Sequence, residues 1–296
     1  MSDNKKRAVI ALGFFDGVHL GHQKVLKSAI RLAKELNAKA VAFTFNGNLK
    51  SVFKDGEKNI YGVNERISAL ISVGIDEIIS APLTTEFLSL SAQEFLGWLD
   101  DKYEVVGYVS GDDYRFGKGG KGDANYLKNY AEKTGKKVIT ESGVMVNGKR
   151  VSSTLIKGYL AEGNIKIANE LLGKPYFVKG EVFKDREVGK TLGFPTVNIK
   201  ISTETITLKD GVYAGKAIID NKLYRAIINY GARPTFNLTE KLLEAHFIGF
   251  NGNLYGKEIE ISFTDFIRPI IKFNDKEELI AQLKKDTKET GEGIYD

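Results

Sequence analysis

Two of the three histidines in this chain of 296 residues lie three positions apart near its beginning, at His19 and His22. They follow an apolar run, residues 8–12, that is typical of a buried parallel strand, and they precede a segment of helical periodicity, residues 23–36. Such a strand-to-helix turn offers free N–H groups and the positive end of a helix dipole to an anion. The spacing therefore indicates phosphate chemistry, with ordinary surface or metal-binding histidines as the alternative.

Two later stretches of the first half also carry groups that could meet a phosphate. A glycine-rich segment, residues 111–123, follows a predicted strand, and its backbone could approach a ligand closely; Arg115 and Lys118 are its cations. Residues 152–157, Ser-Ser-Thr-Leu-Ile-Lys, open a predicted helix after an Asn-Gly hairpin. Hydroxyl groups at a helix start normally cap it, so a purely structural role is the alternative there.

The second half contains a different set of oxygen ligands. Thr196 and Asn198 alternate on a predicted strand, so both side chains face one side and present two hard oxygens suitable for Mg²⁺. Glu244 and His246 share a face of a later strand, where a carboxylate could accept the proton of an attacking hydroxyl. Solvent-facing polar positions on a barrel strand would give the same pattern.

The elements around these residues predict two domains, residues 1–172 and 173–296. In the first, strands alternate with helices, which indicates an α/β domain with a doubly wound parallel sheet. After Gly173-Lys174-Pro175 the pattern changes to six strands separated by turns, which predicts a small closed antiparallel barrel. An amphipathic helix, residues 275–287, ends the chain.

Composition narrows the classes of function. The chain has 43 Lys and Arg against 38 Asp and Glu, a net charge of +5, and its scattered lysines form no basic block, which favours anionic small molecules over nucleic acid. The absence of cysteine excludes disulfides and thiolate metal sites. With no signal peptide and no apolar run long enough for a membrane helix, we expect a cytoplasmic protein without a membrane or obligate protein partner.

Residues 13–23, GFFDGVHLGHQ, contain the HxGH signature of nucleotidyltransferases, and the longer string resembles the opening of prokaryotic bifunctional riboflavin kinase/FMN adenylyltransferases (FAD synthetases). Residues 111–117 resemble the GxDFxFG motif of that family, residues 152–157 its SSTxIR motif, residues 189–198 its GRxLGFPTxN signature and residues 243–246 its (V/L)E-x-H strand. The resemblance covers nearly the whole chain. It implies a Rossmann-like nucleotidyltransferase domain followed by a riboflavin-kinase barrel.

The resemblance also implies roles for individual residues. Glu244 would be the catalytic base of the kinase, Thr196 and Asn198 would hold Mg²⁺, and His19 and His22 would steady the charge that develops during adenylyl transfer. ATP, riboflavin, FMN and FAD would be the ligands of the two sites. The remaining residues expected to bind them are Gly13, Phe14, Phe15, Asp16, Gly17, Gly21, Asp113, Phe116, Ser152, Ser153, Thr154, Lys157, Gly189, Lys190, Gly193 and Pro195.

The chain departs from the family pattern at Lys157 and Lys190, where the family carries arginine, and at residues 45–49, where a Phe-Asp-Pro-His-Pro-like loop is usual. A lysine loses the planar fork that binds phosphate bidentately, so we predict weaker ATP or pyrophosphate binding in the first half. Three other hypotheses stay open: a riboflavin kinase with an impaired first half, a non-catalytic flavin-binding or regulatory protein, and a nucleotidyltransferase for another phosphorylated substrate.

Overall fold

The computed structural model describes residues 5–47, 58–184, 194–232 and 241–292. The chain divides into two compact units, residues 1–155 and 156–296. Each unit has its own sheet, and the two sheets differ in kind: the first is open and parallel, whereas the second is a closed barrel.

The first unit alternates strands with helices, as predicted. Its elements are β1 (Arg7–Leu12), α1 (Leu20–Glu35), β2 (Lys39–Asn46), α2 (Val63–Ser72), β3 (Glu77–Pro82), α3 (Thr85–Leu88), α4 (Ala92–Lys102), β4 (Glu104–Gly111), α5 (Ala124–Thr134), β5 (Lys137–Glu141) and the hairpin β6 (Met145–Val146) and β7 (Lys149–Arg150). A short 3₁₀ turn, Asp16–Val18, lies between β1 and α1.

The parallel sheet has the strand order β3-β2-β1-β4-β5. After β1, the chain adds β2 and β3 on one side of this strand. It then crosses over and adds β4 and β5 on the other side. The carboxyl ends of β1 and β4 meet at this change of direction, where Leu12 pairs with Ser110. In open parallel sheets such a switch point is the usual place for a ligand, and both histidines follow directly after β1.

Hydrophobic cores cover both faces of this sheet, which explains why β1 is apolar at nearly every position. Alternate residues of β1 point to opposite sides: Ile10 belongs to the core beneath α4, and Val9 belongs to the core beneath α1. The apolar stripe of α1 packs on its side through residues including Leu26 and Ala29. The turn after β1 is thus fixed by burial on both sides.

The second unit contains the barrel and the helices on either side of it along the chain. Its elements are α6 (Ser153–Glu162, which begins at the end of the first unit), α7 (Ile165–Leu172), β8 (Tyr176–Phe183), β9 (Val197–Lys200), β10 (Gly211–Ile219), β11 (Lys222–Ala232), β12 (Lys241–Phe247), β13 (Glu258–Arg268) and α8 (Lys276–Glu292). The barrel order is β10-β11-β12-β9-β8-β13, with antiparallel neighbours. The predicted six-stranded closed barrel and its terminal helix are confirmed.

Alternation along the barrel strands decides which side chains can bind a ligand. Leu243, Ala245 and Phe247 of β12 are buried in the interior, so Glu244 and His246 between them point outward. Asn198 of β9 pairs directly with Glu244 and therefore shares the outer face. The residues predicted for the second site therefore lie on the outside of the barrel.

Some local features of the first unit were not predicted from the sequence. Helix α2 begins at Val63 with Gly62 as its N-cap, without a side-chain cap bond. The sequence patterns did not reveal α5 or β5. A capping box at Ser91 and Glu94 begins α4. The turn of the predicted Asn-Gly hairpin has positive φ at both Asn147 and Gly148.

The second unit begins at Ile156, earlier in the chain than the predicted boundary at residues 172/173, so helix α7 belongs to the second unit. Asn169 on α7 explains that grouping: its amide nitrogen donates to the Phe263 carbonyl (2.9 Å), and its side-chain oxygen accepts from the Tyr176 N–H (2.6 Å). Helix α7 is thereby attached to two strands of the barrel. The boundary of the catalytic domains themselves stays a prediction.

Candidate active sites

The turn between β1 and α1 has a backbone that few residues adopt. Phe15, Gly17 and Val18 have φ values of 56°, 81° and 46°, and a β-branched residue such as Val18 is strained in this region. Asp16 is buried here, and its Oδ1 accepts from the Ile60 N–H at 2.8 Å. Asp16 and Gly17 thus shape the turn, and neither lines the cavity beside it.

The two imidazole rings are stacked, with centroids 3.6 Å apart and planes at 17°. His19 is the N-cap of α1, and its Nδ1 accepts from the His22 N–H at 3.3 Å. Because Nδ1 is the acceptor, the proton of neutral His19 sits on Nε2, which is left to donate to a ligand. A Cβ at Gly21 would lie 3.1 Å from the His19 ring, so glycine gives this ring its room.

Burial keeps both histidines neutral. Desolvation lowers the pKa of His19 to about 4, and it lowers the pKa of His22 well below 6.5, with the positive charge of a protonated His19 as a smaller contribution. At neutral pH the pair therefore offers hydrogen-bond donors and no positive charge. Such donors can stabilise charge that appears only in a transition state.

A cavity of about 230 Å³ opens at the switch point, over the carboxyl ends of β1 and β4. It brings together segments that are far apart in the sequence: the turn after β1, the loop after β4, and the start of α6. Most residues predicted for the first site line it, namely Gly13, Phe14, Phe15, His19, Gly21, His22, Asp113, Ser152 and Ser153. The fold therefore brings residues of three separate motifs together at one cavity.

A second cavity of about 680 Å³ adjoins the first and shares Phe14, Asp113 and Tyr114 with it. Its walls are mostly aromatic and aliphatic: Phe14, Phe45, Leu83, Phe87, Leu88, Leu90, Phe95, Tyr114 and Phe116. The predicted ligand residue Phe116 lies here, stacked against Tyr114 at 5.9 Å, rather than in the histidine cavity. Arg115 also lines this cavity, and its guanidinium pairs with Asp123.

Arg150 is a cationic residue of the histidine cavity that the motifs did not single out. Its Nη2 contacts Asp112 Oδ1 at 2.5 Å and Asp113 Oδ2 at 2.9 Å, and the hydrogen bond to Arg150 lowers the pKa of Asp112. The glycine-rich loop and the hairpin are joined by this contact. Its position two residues before the Ser-Ser-Thr string was the available sequence signal.

The Ser-Ser-Thr string is divided between structural and lining positions. Ser152 Oγ accepts from the Leu155 N–H at 3.2 Å, so it caps α6, while Ser153 Oγ donates to the Asp16 carbonyl at 3.0 Å. Thr154 is exposed, Lys157 is buried on α6, and neither lines the cavity. Ser153 therefore connects the start of α6 to the strained turn.

The predicted groups of the second site lie together on the outer face of the barrel. Thr196 Oγ1 donates to Glu244 Oε1 at 2.7 Å, and Asn198, almost fully buried, pairs opposite Glu244 across the β9–β12 ladder. A hydroxyl that donates its proton to a carboxylate keeps its lone pairs for a cation, so these oxygens fit a hard divalent ion. Within the described residues, no cluster of three or more His, Cys, Asp and Glu side chains forms a metal site.

His246 supports the start of the Thr196 segment. Its Nδ1 donates to the Pro195 carbonyl at 2.8 Å, and its ring meets Phe194 edge-on at 5.4 Å. Pro195 thus contributes a main-chain contact. The other predicted residues of this motif, Gly189, Lys190 and Gly193, lie outside the described residues.

Two family models match the chain, one for each predicted domain. The model described as FAD synthetase matches residues 1–155, and the model described as riboflavin kinase matches residues 172–293. The chain belongs to the bifunctional riboflavin kinase/FMN adenylyltransferase family. The predicted family and the predicted transferase class are therefore confirmed.

Relatives named bifunctional riboflavin kinase/FMN adenylyltransferase resemble the chain over almost all of its length. The Listeria monocytogenes protein is 35% identical, covering 95% of this chain and 91% of the relative, and the Bacillus subtilis protein is 32% identical, covering 98% and 93%. The Escherichia coli K12 protein is 30% identical, covering 94% and 90%.

A solved structure from Streptococcus pneumoniae, described as a macrolide-efflux protein, has a TM-score of 0.89 and 32% identity. The match covers 98% of this chain and 95% of that one. Of the helices in the part of the chain that the structure describes, none has the length and apolar character needed to cross a membrane.

Proposed function

We propose that this chain makes FAD from riboflavin in two ATP-dependent steps, one in each unit. The barrel transfers the γ-phosphoryl group of ATP to riboflavin and forms FMN. The first unit then joins FMN to the AMP part of a second ATP and releases pyrophosphate. One observation carries this proposal: each unit has its own set of candidate groups within its own family match. The first unit has the stacked imidazoles, and the barrel has the hydroxyl and carboxylate of Thr196 and Glu244.

In adenylyl transfer, a phosphate oxygen of FMN attacks the α-phosphorus of ATP, a new P–O bond forms, and the bond to pyrophosphate breaks. No protein nucleophile is needed. Neutral His19, with its proton on Nε2, donates a hydrogen bond to a phosphate oxygen, and His22 beside it does the same as negative charge grows. Ser152 and Ser153, which line the cavity, would hold the departing pyrophosphate, and the family resemblance assigns the same role to Thr154 and Lys157, which lie outside the cavity lining.

The aromatic cavity next to the histidines supports a flavin as the second substrate. A flavin ring is a flat, largely apolar system, and stacked aromatic walls such as Tyr114 and Phe116 suit it. Because Phe14, Asp113 and Tyr114 border both cavities, a flavin in one and a nucleotide in the other would meet at these residues. Bond formation then takes place at the shared border.

In the kinase, Glu244 removes the proton of the terminal ribityl hydroxyl as its oxygen attacks the γ-phosphorus, and the bond from this phosphorus to the departing ADP breaks. Thr196 holds the carboxylate through its hydrogen bond and so fixes the direction in which the base points. Thr196 and Asn198 would hold Mg²⁺, which when bound neutralises phosphate charge. Gly189, Lys190 and Gly193 are the residues we assign to the nucleotide phosphates, and Pro195 supports the segment that follows them.

One assay tests the proposal. Purified protein is incubated with riboflavin, ATP and Mg²⁺, and the flavins are separated by chromatography. We expect FMN first and FAD later, with no FMN when Mg²⁺ is removed by a chelator. FMN without FAD would leave a riboflavin kinase with an idle first unit, and unchanged riboflavin would leave a flavin-binding or regulatory protein. The chain would act on these small molecules in the cytoplasm, without an obligate protein partner.

A further inference from the structure

Arg66 on α2 is completely buried, although arginine is rarely so without a specific partner. Its guanidinium carbon lies 4.4 Å from the centre of the Phe14 ring, a cation–π contact. Phe14 lines both cavities of the first unit, whereas Arg66 lines neither. Arg66 can therefore influence a substrate only through the residue it holds.

The contacts of Arg66 converge on the two segments that border the cavities. Its Nη2 donates to the Phe45 carbonyl at 2.5 Å and approaches the Gly47 carbonyl at 3.4 Å, so it is attached to the carboxyl end of β2. Phe45 itself is a wall of the aromatic cavity. The guanidinium thus connects the aromatic wall with the Phe14 ring.

A second contact fixes the main chain of Phe14 from the same strand. Thr44, fully buried on β2, donates through Oγ1 to the Phe14 carbonyl at 2.7 Å. The backbone of Phe14 is therefore held by Thr44, and its ring is held by Arg66. Together these contacts remove most of the freedom that an aromatic side chain at a cavity border would have.

The charge of Arg66 is balanced within the same turn that carries the histidines. Burial lowers the pKa of Arg66, and the negative charge of Asp16 opposes this shift. Removing only one partner of a buried charge pair is usually costly, so Arg66 also contributes to the stability of this turn. The guanidinium itself is used in two directions, toward the Phe45 carbonyl and toward the Phe14 ring.

We propose that Arg66 is a positioning residue for adenylyl transfer, which fixes the Phe14 ring at the border where the flavin phosphate and the nucleotide α-phosphate meet. The inference rests on the proposed FMN adenylyltransferase function. Errors of about 1 Å in the placement of reacting groups can cost ~10²-fold in rate. Loss of the guanidinium should lower kcat while both substrates still bind.

The test is a double-mutant cycle on the full-length protein with Arg66→Met and Phe14→Leu. For Arg66→Met we expect kcat for FMN adenylylation to fall about 10- to 100-fold, with KM for ATP within about twofold of the wild type. The double variant should be no slower than Phe14→Leu alone, because Arg66 acts through that ring. Riboflavin phosphorylation by the same preparations should not change, and this controls for protein concentration and quality.

Arg7→Met is the matched control, because Arg7 is exposed at the opposite end of β1 and pairs with Glu104. Wild-type kcat in Arg66→Met, or losses that add in the double variant, would overturn the inference. If Arg66→Met unfolds the first unit, as Trp98 fluorescence would reveal, Arg66→Lys decides: a folded protein with lowered kcat supports it, and a wild-type rate overturns it. Wild-type protein that makes no FAD from FMN would instead refute the proposed function.

Discussion

The two candidate sites are formed in different ways by the two kinds of sheet. In the first unit, a parallel sheet brings the ends of β1 and β4 together, and the site is a concave, buried cavity whose histidines are neutral. In the barrel, the register of two antiparallel strands sets Thr196, Asn198 and Glu244 on an outer face. The first site suits donors that act on developing charge, and the second suits a carboxylate base with a cation. Variants that affect one reaction and spare the other test this difference.

The largest effect is expected for Glu244→Ala. Loss of the base should lower riboflavin phosphorylation by about 10²- to 10⁴-fold, and FMN adenylylation should stay at the wild-type rate. The two rates are measured separately by chromatography, starting from riboflavin or from FMN. Glu258→Ala, an exposed carboxylate on β13, is the matched control and should change neither rate. A similar loss of both reactions in Glu244→Ala would remove the distinction between the sites.

The second largest effect is expected in the other reaction, FMN adenylylation. His22→Ala removes one transition-state donor and should lower FMN adenylylation by about 10²- to 10³-fold, without affecting the kinase. His246→Ala serves as its control, because the third histidine of the chain lies on the barrel strand β12 and should leave adenylylation intact. An adenylylation rate in His22→Ala close to that of the wild type would exclude the imidazole pair from the reaction.

The same contrast explains what the sequence could predict. Alternation on a strand was enough to set Thr196 and Asn198 on one face, but the pairing of Asn198 with Glu244 depends on the register between two strands that are far apart in the sequence, which no local pattern encodes. The turn after β1 could be identified from His19 and His22 and the apolar run before them. The stacking of the rings and the role of His19 as an N-cap depend on Val18 and Phe15 in strained conformations.

Residues that act through burial were harder to find. Arg66 and Arg150 look like ordinary surface cations in the sequence, and only packing shows that one lies beneath Phe14 and the other lines the histidine cavity. The element β5 was missed because its five residues, Lys137–Glu141, alternate weakly, and its place in the sheet follows from pairing with β4. The surroundings of the two arginines and the place of β5 in the sheet both depend on tertiary contacts, which a local sequence pattern does not contain.

A third prediction concerns stability against pH in the first unit. The folded pKa values of His19 and His22 lie below the unfolded value of 6.5, so between pH 6.5 and about 4 the unfolded chain binds more protons. Stability should therefore be lost as pH falls through this window, by about 3 kcal/mol for His19 alone. The single tryptophan, Trp98, lies in this unit, so thermal unfolding followed by its fluorescence reports on it.

Because other groups also titrate in this pH window, variants are needed to isolate the contribution of the two histidines. The double change His19→Asn and His22→Asn should flatten the pH dependence of the unfolding midpoint, whereas His246→Asn in the barrel should not alter it. Equal slopes in the wild type and the double variant would contradict the buried, neutral pair.

The smallest effect is expected at Lys157. Lys157→Arg introduces the planar fork that the family pattern carries at this position, and one additional charge-assisted hydrogen bond of about 1 kcal/mol to the pyrophosphate should lower KM for ATP in adenylylation roughly fivefold. Lys190→Arg is the matched change in the second half of the sequence and should act only on the kinase. An unchanged KM for ATP in Lys157→Arg would argue against a phosphate-binding role.

A mixture of two variants, each impaired in a different reaction, tests whether the two sites work independently. Glu244→Ala and His22→Ala are combined in equal amounts with riboflavin, ATP and Mg²⁺, and FAD is measured over time. We expect the mixture to make FAD, although neither variant alone does so at a comparable rate, because FMN made by one protein is adenylylated by the other. A mixture that forms no FAD while each variant remains folded would contradict two independent sites.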